Sequence, residues 1–106
     1  MRRRRIVYRR RAREDIREIA RWFALRVSRQ FASAYVERIR ARIRSFEFAG
    51  ERGTVRDEIG PGVRAIGLMQ SITIAFAINA ESVIILRVVY GGQDWQTAPT
   101  TDDFED

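Results

Sequence analysis

The sequence predicts an α+β fold: an N-terminal strand, an antiparallel helical hairpin, then an antiparallel three-stranded meander. Three observations carry this. Apolar residues recur at helical spacing through the first half of the chain. The second half holds near-continuous β-branched runs interrupted by short polar turns. Between the two regimes lies a stretch, 50–62, whose Gly50, Gly53, Gly60, Pro61 and Gly62 break any regular period.

Each element has its own warrant. Ile6-Val7-Tyr8 follows Arg2 to Arg5 and reads as a short edge strand, with the arginines blunting it against further pairing. The Arg2–Arg5 run itself is expected to be a solvated, disordered end. From Arg10 the period changes, and Ala12, Ile16, Ile19, Ala20, Phe23 and Val27 fall on one face of a helix over about residues 10–27. Glu14, Asp15 and Glu18 sit near its start, where the helix dipole favours negative charge. Glu14 and Glu18 are also within reach of Arg17 and Arg21. Ser28 is the expected N-cap of a second helix. Along it Phe31, Tyr35, Ile39, Ile43 and Phe46 form the apolar stripe, and Gly50 is the expected residue after its last turn.

Val63 to Leu68, Ser71 to Ile78 and Val83 to Tyr90 read as three strands joined by turns at Met69-Gln70 and Asn79-Ala80-Glu81. The last two are almost wholly apolar, so they belong at the sheet centre, covered on at least one face by the helices. They show almost no polar alternation over 72–78 and 83–89, so the second face of the sheet is expected to want cover from another chain. Residues 1–96 form one domain, and 97–106 read as an acidic C-terminal tail that frays.

Composition removes several chemistries. The 106 residues include no cysteine and no histidine. Disulfides, thiolate metal sites and Ser-His or Cys-His nucleophiles are therefore excluded, and no cofactor is expected. All 20 basic residues are arginine, which stays protonated and cannot serve as a general base. The proton-transfer candidates left are Asp, Glu and Tyr. Residues 1–44 carry 16 arginines against four acids, +12, whereas residues 45–106 carry four against ten, −6. A basic half points to an acidic partner. No apolar run reaches the roughly 18 residues that span a bilayer. The leading arginines have no apolar segment behind them, so a secretory signal is not expected, and the expected location is the cytoplasm.

Ile6-Val7-Tyr8, Ala12-x-x-Asp15, Ala32-x-x-Tyr35, Gly62-Val63-Arg64 and Arg87-x-x-Tyr90-Gly91, in that order, resemble the ParE/RelE toxin superfamily. Ile6-Val7-Tyr8 followed by Ala12-x-x-Asp15-Ile16-x-x-Ile19 is similar to that family's opening strand and first helix. Ala32-x-x-Tyr35-x-x-x-Ile39 is similar to its second helix. Gly53-x-x-x-Asp57-Glu58-x-x-x-Gly62-Val63-Arg64 is similar to its loop and meander entry, and Arg87-x-x-Tyr90-Gly91-x-x-Asp94 to its closing strand. The likeness covers roughly residues 5–95 and leans towards ParE. It implies a bacterial type II toxin that inhibits DNA gyrase by binding and is not an enzyme. It also implies a ParD-like antitoxin that neutralises the toxin in a heterotetramer or larger complex and alone contacts operator DNA. The alternative within the superfamily is a RelE-like, ribosome-dependent mRNA endonuclease.

The site residues follow from position. RNA cleavage of the RelE kind needs positive charge at the scissile phosphate and a group for the 2′-hydroxyl proton. Ser71 to Ile78 carries no basic residue, and Tyr90 stands where the superfamily often has histidine. A phenol, titrating near about 10, is a poor base without help. No catalytic residue is therefore assigned. Arg64, Arg87, Tyr90 and Trp95 are the candidates for target binding. Trp22, Tyr35, Arg38, Arg42 and Arg64 are the candidates for antitoxin binding. For Arg64 the competing role is an ion pair with Asp57 or Glu58. For Arg87, inside an apolar strand, it is a structural pair with a carboxylate such as Asp94. For Trp95 and Tyr90 it is packing over the edge of the core.

Overall fold

The structure, a computed structural model, describes residues 3–49 and 51–91. It has the predicted α+β order. Strand β1 (Arg5–Tyr8) leads into helices α1 (Arg10–Arg26) and α2 (Arg29–Arg44). A 3-10 turn, Ser45–Glu47, and strands β2 (Thr54–Val55), β3 (Val63–Leu68), β4 (Ile72–Ile78) and β5 (Ser82–Tyr90) follow. The sheet order is β1-β5-β4-β3-β2, with β1 parallel to β5 and the rest antiparallel. β1 is therefore an edge strand, as expected, and β4 and β5 are interior. The short β2, hidden in the Gly/Pro-rich stretch, forms the opposite edge.

The hairpin lies on one face of the sheet. Ala12, Ile16, Ile19 and Phe23 of α1 pack with Ile39 and Ile43 of α2, and with Ile74, Phe76, Val83, Ile85 and Val88 of the sheet. Phe46 stacks on Phe76 at 4.7 Å between ring centroids. Each fully buried side chain of this size contributes about 1.5–3 kcal/mol. Val27, assigned to the apolar stripe, is instead 57% exposed, because the helix has ended at Arg26 and Val27 is its C-cap. Phe31 at the start of α2 is likewise exposed.

The helix ends differ from expectation in informative ways. Ser28 does cap α2, its hydroxyl accepting from Phe31 N at 3.0 Å. α1 has no acid in its first turn and no side-chain cap. Its entry is fixed by the backbone, with Arg9 N donating to Ile85 O at 3.0 Å. Glu14 and Glu18 make no ion pair with Arg17 or Arg21; the i,i+4 pair on this helix is Arg11–Asp15. α2 stops at Arg44, capped by Ser45, so the turn after it falls well before Gly50, which lies outside the described residues. Arg3 and Arg4 are not free: they pair with Glu47 and Glu51, and Arg4 N donates to Glu47 O. Acids immediately after α2 anchor the arginine run that precedes β1.

The far face of the sheet is not bare. Val63, Ala75, Leu86 and Val89 are buried there, with Ile59, Ala65, Ala77 and Ile84 against them. The two-sided apolar pattern of β4 and β5 therefore serves a second small core within the chain. The acidic tail, 97–106, lies outside the described residues.

Candidate aromatic binding site

The site is set by an irregularity in β5. Ala75 pairs with Arg87, but the next residue of β4, Phe76, pairs with Ile85. Leu86 is thus an extra residue, a β-bulge, which inverts the side-chain alternation beyond it. Before the bulge Val83 and Ile85 face the helices; after it Val88 and Tyr90 do. Ile84, Leu86 and Val89 face the other way. Without the extra residue Tyr90 would point away from the hairpin.

Asp15 of α1 grips this bulge. It is only 5% exposed, and its carboxylate accepts from Arg87 Nε at 2.8 Å, Arg87 Nη2 at 3.2 Å and Val88 N at 2.9 Å. Arg11 Nε adds a longer contact at 3.4 Å. Arg87 is equally buried. A buried arginine requires such a partner, and the partner is a helix residue. Asp94 lies outside the described residues. Arg87 therefore points inward and positions the strand rather than facing a target.

Tyr90 then completes an aromatic cluster at the tip of the hairpin. Its ring lies 5.4 Å from Trp22, 5.5 Å from Phe23 and 6.5 Å from Tyr35, and Phe31 stacks on Tyr35 at 5.9 Å. Burial raises the Tyr35 hydroxyl above its ordinary value; the Tyr90 phenol adds to this, and Arg38 opposes it. Such an environment favours a protonated phenol, not a base. A pocket of about 180 Å³ opens beside the cluster, lined by Asp15, Glu18, Ile19, Trp22, Phe23, Val88 and Tyr90. Trp22, which lines it, is 40% exposed, and Phe31 of the same cluster is 42% exposed.

The structure thus unites Trp22, Tyr35 and Tyr90, which the sequence had divided between two partners, and adds Phe23 and Phe31. Trp22, off the main stripe of the first helix, and Phe31 and Tyr35, on the stripe of the second, were visible in the sequence, but the meeting of Trp22 and Tyr35 with Tyr90 depends on the bulge. Arg64 is elsewhere, on β3 near the β2 edge. Its Nη1 donates to Arg52 O at 3.2 Å, whereas Asp57 accepts from Gly62 N and Glu58 pairs with Arg56. The carboxylate pair weighed as a competing role for Arg64 is not formed with Asp57 or Glu58, and a backbone tether stands in its place. Arg38 is exposed, and Arg42 is half-buried with its Nε unpartnered. A second groove, between the helices, is lined by Ala20, Ala24, Ala32 and Val36 and rimmed by Arg21, Arg29 and Glu37. Trp95 lies outside the described residues. Among the described residues no cluster of acids could hold a metal ion, and no helix is long and apolar enough to cross a membrane.

Comparison with known proteins agrees with this architecture. The family described as the ParE toxin of the type II toxin–antitoxin system, parDE, matches residues 6–95. No curated protein matches the chain. Among solved structures, the fold is similar to a chain of the chromosomal ParDE TA system from P. aeruginosa. That likeness has a TM-score of 0.73 at 20% identity and covers 84% of this chain and 97% of that one. The family match spans the strand, the hairpin and the whole meander, and on that ground the chain belongs to the ParE toxin family.

Proposed function

We propose that this ParE family member inhibits DNA gyrase by binding it, without catalysis, and that a ParD-like antitoxin neutralises it in the cytoplasm. One observation supports this best. The end of β5, where an RNA-cleaving relative would place its chemistry, is built into the protein's own packing. Arg87 is committed to Asp15, and Tyr90 is packed among Trp22, Phe23 and Tyr35. What the site turns outward includes Trp22, 40% exposed, and aromatic anchors of this kind are enriched in protein-binding hot spots.

The antitoxin has a different surface to use. The small-residue groove of Ala20, Ala24, Ala32 and Val36 suits a partner helix, Arg21 and Arg29 at its rim suit an acidic one, and Arg38 and Arg42 add positive charge elsewhere on α2. Tyr35 of the aromatic cluster and Arg64, on β3 beside the β2 edge, are further residues proposed to meet the antitoxin. On this reading the complex is a heterotetramer or larger, and operator DNA is bound through the antitoxin alone.

The test is direct. Purified toxin is incubated with gyrase, ATP and supercoiled plasmid, and the products are resolved after denaturation. Linear DNA trapped in a covalent gyrase complex supports the proposal. No trapped DNA, together with mRNA cut on stalled ribosomes, sinks it in favour of an endonuclease.

A further inference from the structure

The pocket beside the aromatic cluster carries a carboxylate with no ion-pair partner among the described residues. Its walls are Ile19, Trp22, Phe23, Val88 and Tyr90, and its two acids are Asp15 and Glu18. Asp15 is saturated by Arg87, Val88 N and Arg11. Glu18 is exposed, and among the described residues it makes no ion pair, in a chain with 20 arginines and 14 acids. Trp22 lies one helical turn further along the same face. Its ring meets Phe23 edge-on at 4.9 Å and Tyr90 at 5.4 Å, so three π-systems and one unmatched carboxylate border a single opening.

We infer that this pocket receives an arginine side chain presented by the protein target. The inference rests on the binding-protein reading above and deepens it. Aromatic faces with a carboxylate at the rim attract cations, and Trp22 already holds the Arg26 guanidinium at 4.4 Å, outside the pocket lining. A volume of about 180 Å³ is well below the ~300 Å³ at which small-molecule sites begin, but it accommodates one long side chain. Glu18 repels a phosphate, and a purely apolar side chain would desolvate Glu18 without return. Arginine is favoured over lysine because a planar guanidinium stacks on the rings while its edge pairs with the carboxylate. The basic faces near Arg38 and Arg42 suit the acidic partner, so the acidic pocket falls to the other one.

The experiment uses the full chain and small probes. The indole N–H resonance of Trp22 is followed by NMR during titration with L-arginine amide and, separately, with L-citrulline amide, which keeps the α-ammonium but has an uncharged isosteric side chain. Arginine amide is expected to give a saturable shift, citrulline amide none. Glu18→Gln is expected to weaken the arginine response about tenfold, the loss of one charge-assisted contact. Arg26→Gln, on the outer face of Trp22, is expected to leave it within about twofold. An equal response to citrulline amide, an unchanged response in Glu18→Gln, or no response to either probe overturns the site. Charge reversal by Glu18→Arg then addresses the source of the arginine. Loss of gyrase trapping with antitoxin affinity retained supports the target; loss of antitoxin affinity instead overturns that assignment. The probe titration contains no gyrase, so failure of the pocket and failure of the gyrase reading are separable.

Discussion

Asp15 shows how much one residue can decide. It lies on the apolar side of α1, where sequence patterning anticipates a hydrophobe, and it holds both the guanidinium and a backbone N–H of the β5 bulge. Removing one partner of a buried pair typically costs about 3–5 kcal/mol, because a desolvated charge is left behind. Asp15→Ala is therefore expected to lower stability by that amount, read from the denaturation midpoint, and to broaden the resonances of Tyr90 as the bulge loosens. A loss below about 1 kcal/mol would show that the grip is not structural. Gly53 is a second such residue. Its φ is +77°, and a Cβ there would sit 2.5 Å from Ala65 O, a backbone atom that cannot move aside. Gly53→Ala should cost about 2–3 kcal/mol by the same measurement, combining conformational strain and a clash. The Arg87 pairing was partly legible: an arginine inside Ile84-Ile85-Leu86-Arg87-Val88-Val89 demands a carboxylate. Which carboxylate was harder to read, since the partner lies 72 residues away; the place of Asp15 between Ala12 and Ile19 on the apolar stripe marks it for burial but does not name its partner.

Among the elements, the helices and strands were readable because their periods are strong, while the bulge was not. β5 is apolar on both faces, so inserting one residue leaves no trace in its alternation. That single residue moves Tyr90 from one side of the sheet to the other and creates the site. The expected bare sheet face failed for a related reason: two-sided apolar strands can bury both faces within one small chain. The β3–β4 connection shows a different departure. Met69 and Gln70 have φ of 53° and 63°, a left-handed pair without glycine. Each such residue costs about 1–2 kcal/mol. Gln70 is exposed, so Gln70→Gly relieves its strain at the expense of about 0.5–1 kcal/mol of extra chain entropy in the unfolded state. A net gain of about 0.5–1 kcal/mol is expected in thermal denaturation. Met69→Gly should instead lose stability, because Met69 packs against the main core.

At the scale of the whole molecule, the charge division read from the sequence acquires a geometry. The helical hairpin carries most of the arginines, and the exposed Arg38 of α2 stands beside half-buried Arg42. Charges of one sign on an exposed face act mainly by steering encounter: they raise association rates, are screened beyond about 8 Å at physiological salt, and alter dissociation little. The acidic antitoxin proposed for this face provides the measurement. In stopped-flow mixing at low ionic strength, Arg38→Glu with Arg42→Glu should slow association about tenfold or more, while the dissociation rate changes by less than about threefold. Raising salt to about 0.5 M should erase most of the difference, since screening then acts within about 4–5 Å. If the double variant instead accelerates dissociation at every salt concentration, these arginines form short-range contacts in the bound complex. The helix face would then be a packed interface and not a steering field, and the antitoxin would have to extend beyond the Ala20–Ala32 groove onto the Arg38–Arg42 face of α2.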